Sequence, residues 1–167
     1  PRLVMDLVLK HMPDCEDPLA ERYEFYVLLE LVSTATGETG LSERLEAILE
    51  GAFEAGLVLD AAIAQSEAQR QEFWKLRENA SESQKVEGAS IKHDVSVPVS
   101  RIAEFYDAAW EKVAAIDPTV RLVGFGHVGD GNLHYNLQVP EGGDGKAFLA
   151  RWDEFNRAVH DTVVEMG

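Results

Sequence analysis

The chain has 167 residues, enough for one domain that buries about 70% of the surface its unfolded form exposes. Fifteen Lys and Arg against 30 Asp and Glu leave a net charge of −15, which repels phosphate backbones and anionic lipid and argues against nucleic-acid or membrane-surface partners. The hydrophobic share of 46% and charged share of 27% exclude disordered, collagenous and coiled-coil classes.

Cys15 is the single cysteine, so no intrachain disulfide forms and a cysteine-rich zinc site is excluded. A reducing compartment fits, and a cytoplasmic location is expected. No apolar run approaches the roughly 20 residues of a spanning helix.

In chain order, Leu3, Val4, Leu7 and Val8 recur at helical spacing up to Pro13. Residues 14–22 read as a loop and 23–33, rich in aromatic and β-branched side chains, as a strand. A turn is expected over 36–40. Ser42 is placed to cap a helix through Leu45, Ile48, Leu49 and Phe53. Residues 57–63 read as a second strand and 67–81 as a helix carrying Trp74 and Arg77. Residues 91–99 alternate, with Ile91, His93, Val95, Val97 and Val99 on one face and Lys92, Asp94 and Ser96 on the other. Ser100 then caps a helix over 101–116. Two strands, 120–128 and 133–139, flank Gly129-Asp130-Gly131-Asn132, and an amphipathic helix runs from Phe148 to Met166, with Gly167 as its C-cap. A late hairpin among helices argues for an α+β fold, an antiparallel sheet with helices packed on one face.

The densest chemical cluster is Gly124 to Asn136. Asp130-Gly131 is a strong two-residue turn signal, and a turn there sets His127 opposite His134. Directly opposed Cβ atoms are about 5 Å apart, so two such imidazoles can share a metal ion. Asn136 lies on the same face. No acid of the hairpin is placed as a third ligand. The plain alternative is a glycine-rich hairpin whose histidines only hydrogen-bond. Trp74, Arg77 and Ser81 share a helix face, and the planar fork of Arg77 suits a carboxylate, although so many acids offer it ordinary partners. Lys92 belongs to the polar face of its strand. Two cations and a metal in one cavity favour a small anionic substrate.

The run Gly126-His127-Val128-Gly129-Asp130-Gly131-Asn132-Leu133-His134 resembles the signature of the C-terminal domain of FAD-linked oxidases, in the D-lactate, glycolate-oxidase-subunit and D-2-hydroxyglutarate dehydrogenase branch of the vanillyl-alcohol-oxidase-like superfamily. Phe73 to Glu78 and Lys92 to Pro98 resemble two further segments in the right order. The resemblance covers essentially the whole chain. It implies a ferredoxin-like cap domain, with His127 and His134 as ligands of a divalent metal, usually zinc. Arg77 and Lys92 match positions that hold the substrate carboxylate. Ser81 stands where relatives often have Thr, and Asn136 matches a substrate contact.

The activity so implied is oxidation of a D-2-hydroxy acid to a 2-oxo acid by hydride transfer to FAD. Residues 1–167 are then expected to be one domain cut from a longer protein. The FAD-binding domain would be its partner in the same chain. A Glu-His-Gly segment beyond Gly167 would complete the metal site and supply the base, so the fragment alone is expected to be inactive. Two rivals stand beside this reading: a non-catalytic α+β module for a small ligand or protein, and a metal-free flavin oxidase of another alcohol.

Overall fold

The computed structural model describes residues 1–166 apart from Thr36 and Glu38. The turn expected over 36–40 therefore lies partly outside the described residues, as does the C-cap expected at Gly167. The helices are α1 (Arg2–His11), α2 (Leu41–Glu54), α3 (Glu67–Glu78), α4 (Ala80–Glu87), α5 (Ile102–Ile116), α6 (Gly145–Leu149) and α7 (Trp152–Glu165). The strands are β1 (Ser90–Ile91), β2 (Asp94–Ser96), β3 (Arg121–His127) and β4 (Asn132–Gln138).

Every strand pairs antiparallel with β4, which forms the spine of the sheet. β3 runs along one edge. β1 and β2 lie end to end along the other in one unbroken register, Ile91 opposite Leu137 and Asp94 opposite His134. That register sets Lys92 beside Asn136 and His93 beside Tyr135. The ladder loosens there because the His93 N–H donates to the Asn136 side-chain oxygen at 3.2 Å. The Tyr135 N–H still donates to the His93 carbonyl at 2.9 Å.

Alternation along the strands sorts side chains to two faces. Ile91, Val95, Leu133, Tyr135 and Leu137 pack on Phe105, Ala109 and Val113 of α5 and Phe155 and Val159 of α7, the main core. Gly124 leaves room for the Tyr106 ring, since a Cβ there would lie 2.7 Å from its Cε2. The Tyr135 hydroxyl donates to the Tyr106 carbonyl at 2.9 Å.

The fold is α+β with an antiparallel sheet, but its helices cover both faces rather than one. Val4 and Leu7 of α1 and Ala80 of α4 bury Val123 and Phe125 on the far side of β3. The reason is in the pattern: β3 is apolar on both faces near its centre, and the stripe of α1 needs a surface to cover. Each fully buried aliphatic there is worth about 1.5–3 kcal/mol.

Glu87 holds this second layer in place. Its carboxylate, almost fully buried, accepts from Lys10 Nζ at 2.7 Å and Arg121 Nη1 at 2.7 Å and lies 2.6 Å from His11 Nε2. Burial alone would raise its pKa, but the hydrogen bonds from Lys10, His11 and Arg121 prevail and bring it down to about 2.

The strands expected at 23–33 and 57–63 are not formed. Both stretches lack a ladder partner, and they leave Phe25, Val27, Val32, Leu57 and Leu59 exposed. β propensity describes a side chain fitted to a pleated neighbour, not a self-sufficient preference. Without these strands a ferredoxin-like arrangement is not seen among the described residues. Two expected caps also differ. α2 starts at Leu41 behind Gly40, so Ser42 sits inside the helix. Ser100 lies in a 3-10 turn, Val99–Arg101, ahead of α5 and makes no cap bond.

Candidate functional site

The hairpin between β3 and β4 turns through a 3-10 turn, Val128–Asp130, closed by Gly131 in the left-handed region at φ +77°. Asp130 Oδ1 accepts from the Asn132 N–H at 3.0 Å, which locks the turn. The loop thus holds four residues, not two, and the pairing shifts by two. His127 lies opposite Asn132 and Phe125 opposite His134, so the direct His127–His134 pairing read from the sequence is not what forms. An even shift keeps every side chain on its face. The two histidines therefore remain on the same face as diagonal neighbours, about 7–8 Å apart at their backbones.

That face gathers most of the expected residues. β4 contributes Asn132, His134 and Asn136, β3 contributes Phe125 and His127, and the neighbouring edge contributes Lys92 and Asp94. Asp94 Oδ1 lies 3.6 Å from His134 Nδ1 and accepts from Asn132 Nδ2 at 2.7 Å. Asp94 was not singled out beforehand. Its signal was its place on the polar face of an alternating strand, two residues from Lys92. Among the described residues no group of three His, Cys, Asp or Glu side chains is arranged to hold a metal ion.

Arg77 reaches the face from above. It rides on α3, which Ser66 caps by accepting from the Gln69 N–H at 3.2 Å. Its guanidinium lies over the Phe125 ring with Cζ 5.1 Å from the centroid, and His134 tilts against the same ring at 5.0 Å. Burial draws the guanidinium pKa down, yet an arginine stays charged. Among the described residues neither Arg77 nor Lys92 has a carboxylate partner, whereas Arg70, Arg101, Arg121 and Arg151 all do.

The helix expected over 67–81 breaks at Asn79, so Arg77 closes α3 and Ser81 opens α4. α4 itself was missed because its sequence, Ala-Ser-Glu-Ser-Gln-Lys-Val-Glu, carries no clear apolar stripe. Yet Ser83 and Gln84 are fully buried. Gln84 Nε2 donates to the Ala80 carbonyl at 3.1 Å, and Gln84 Oε1 accepts from Asn136 Nδ2 at 3.0 Å. The Trp74 indole turns away and donates to Glu30 at 2.7 Å.

Comparison with known proteins identifies the family. The family described as FAD linked oxidases, C-terminal domain, matches residues 2–167. The chain is 39% identical over 140 residues to the mitochondrial D-2-hydroxyglutarate dehydrogenase of Arabidopsis thaliana, covering 84% of this chain and 24% of that protein. It is 36% identical over 150 residues to the D-2-hydroxyglutarate dehydrogenase of Stutzerimonas stutzeri (strain A1501), covering 90% and 32%. Against the mitochondrial enzyme of Rattus norvegicus it is 36% identical over 134 residues, covering 80% and 24%. The chain thus spans about a quarter to a third of the relatives it matches. With a match along nearly its full length, the chain belongs to the C-terminal domain family of FAD-linked oxidases.

Proposed function

We propose that this chain is the substrate-holding domain of a flavin-dependent oxidoreductase that converts a D-2-hydroxy acid to a 2-oxo acid. One observation carries the reading. In a chain with 30 acids, Arg77 and Lys92 have no carboxylate partner among the described residues, and both border the sheet face that bears His127, His134 and Asn136. Unpaired cations at a half-buried polar face suit a small carboxylate ligand.

Arg77 offers a planar fork whose position is fixed by the Phe125 ring, so little freedom is lost when a carboxylate docks. Lys92 adds a second positive charge from the strand edge. Ser81, on the first turn of α4, offers a hydroxyl. The substrate hydroxyl then falls toward His134 and His127.

FAD, held by another part of the protein, would accept the hydride. The donor chemistry of His127 and His134 fits zinc as two of its ligands, and such an ion would act as a Lewis acid at the substrate hydroxyl. A mononuclear site needs a third ligand. D-2-hydroxyglutarate, named in the relatives, is the first acid to try, with D-lactate and glycolate next.

The test is anaerobic titration of the longest form of the protein that carries this chain, following the flavin absorption band. Bleaching by D-acids but not L-acids, abolished by a chelator, supports substrate, stereochemistry and metal together. A yellow protein that no 2-hydroxy acid bleaches removes the substrate.

A further inference from the structure

Four side-chain and backbone groups form a chain of three hydrogen bonds whose direction is fixed at both ends. The Ala80 carbonyl can only accept, so Gln84 must present Nε2 to it, at 3.1 Å. Gln84 Oε1 then faces Asn136 Nδ2 at 3.0 Å. The His93 backbone N–H can only donate, so Asn136 must present Oδ1 to it, at 3.2 Å. The two amides have one arrangement that satisfies all three bonds. Gln84 is 0% and Asn136 5% exposed, so water does not substitute for either.

This strut joins α4, which directly follows the helix that carries Arg77, to the strand edge that carries Lys92. Ala80 precedes Ser81 in α4, close behind Arg77, while His93 follows Lys92. Here a glutamine replaces the apolar side chain that a buried helix position ordinarily takes, and a lone buried amide is costly unless fully bonded.

We propose that Gln84 is a positioning residue that sets the gap between the helix side (Arg77, Ser81) and the strand side (Lys92), and with it the affinity for the substrate carboxylate. The proposal rests on the 2-hydroxy-acid reading above. Gln84 acts through Asn136 and the His93 backbone and does not itself touch the acid. A carboxylate gripped from two sides needs both sides at the right separation, and a displacement of about 1 Å is enough to cost much of the grip.

Two substitutions test this. Gln84→Met keeps the length and removes both bonds. Gln84→Glu is isosteric when protonated, donating to Ala80 and accepting from Asn136. When ionised it sets an oxygen against the Ala80 carbonyl. Burial raises a carboxyl pKa, so this variant switches within a usable range. KM and kcat for D-2-hydroxyglutarate are measured at pH 5.5 and 8.5, as conditions of choice, in the longest flavin-loaded form of the protein. Relative to wild type at each pH, KM rises about tenfold for Gln84→Met at both values, with kcat nearly unchanged. For Gln84→Glu, KM is close to wild type at the lower pH and about tenfold higher at the upper.

A purely structural glutamine would lower the melting temperature without this KM-selective, pH-dependent pattern. A folded Gln84→Met protein with wild-type KM overturns the proposal. If that variant does not fold, a Gln84→Glu to wild-type KM ratio that is flat with pH overturns it instead. A wild-type protein that turns over and binds no 2-hydroxy acid removes the functional reading, and the proposal with it.

Discussion

The Arg77 guanidinium stands over the ring of Phe125, Cζ 5.1 Å from the centroid, and the same ring carries His134 at 5.0 Å. One aromatic side chain thus fixes both a cation and an imidazole. Arg77→Ala is expected to raise KM for 2-hydroxy acids about 10- to 100-fold, the worth of a charge-assisted hydrogen bond pair, with a smaller change in kcat. Phe125→Leu keeps the apolar contact but removes the cation–π term of about 0.5–1 kcal/mol, a two- to fivefold rise in KM. Steady-state kinetics with D- and L-acids reads both. An unchanged KM in Arg77→Ala for every acid takes Arg77 out of its role.

Zinc binding by the 167-residue chain is expected to be weak, since two imidazoles are offered and no triad of ligand side chains is assembled among the described residues. Calorimetry should show that this weak binding disappears in His127→Ala and in His134→Ala. Tight binding that survives loss of His127 contradicts the site.

Acid should loosen α1 first. The Glu87 pKa is held near 2 against an ordinary 4.5. Its contribution is therefore fully present above about pH 4.5 and fades as pH falls toward 2. Glu87→Gln should cost on the order of 2–3 kcal/mol at pH 7, and the gap to wild type should narrow at pH 3. Urea unfolding at the two pH values measures it; a gap that stays constant refutes the linkage.

Gly131→Ala should be among the more damaging small changes. The backbone there has φ +77°, disfavoured for an L-residue by about 1–2 kcal/mol, and the added methyl would collide with the Val97 carbonyl. A melting temperature lower by about 2–8 °C is expected, with loss of the Asp94–Asn132 contact at the hairpin tip. Thermal unfolding followed by circular dichroism tests it.

Much of the candidate site was legible because period-2 alternation survives an even error of register. Placing the turn at Asp130-Gly131 mispaired His127 and His134, but the true shift of two left both on one face with Asn136. Sequence also put Arg77 and Lys92 forward without showing where either lies; the stacking of Arg77 on Phe125, opposite His134, is what ties the end of α3 to the sheet. α4 was illegible because two of its three buried residues, Ser83 and Gln84, are polar, and the Asn136 partner that completes the Gln84 amide is distant in sequence. The segments 23–33 and 57–63 were read as strands from composition alone, and composition does not supply a ladder partner.

Those two segments bear on how the 167-residue chain is expected to behave in solution. Phe25, Val27, Val32, Leu57 and Leu59 stand in water on a molecule of net charge −15, so long-range repulsion holds copies apart while short-range stickiness draws them together. Raising ionic strength to 0.15 M shortens the reach of the repulsion to about 8 Å and leaves the stickiness untouched. Added salt is then expected to raise the light scattering of a concentrated solution of the 167-residue chain.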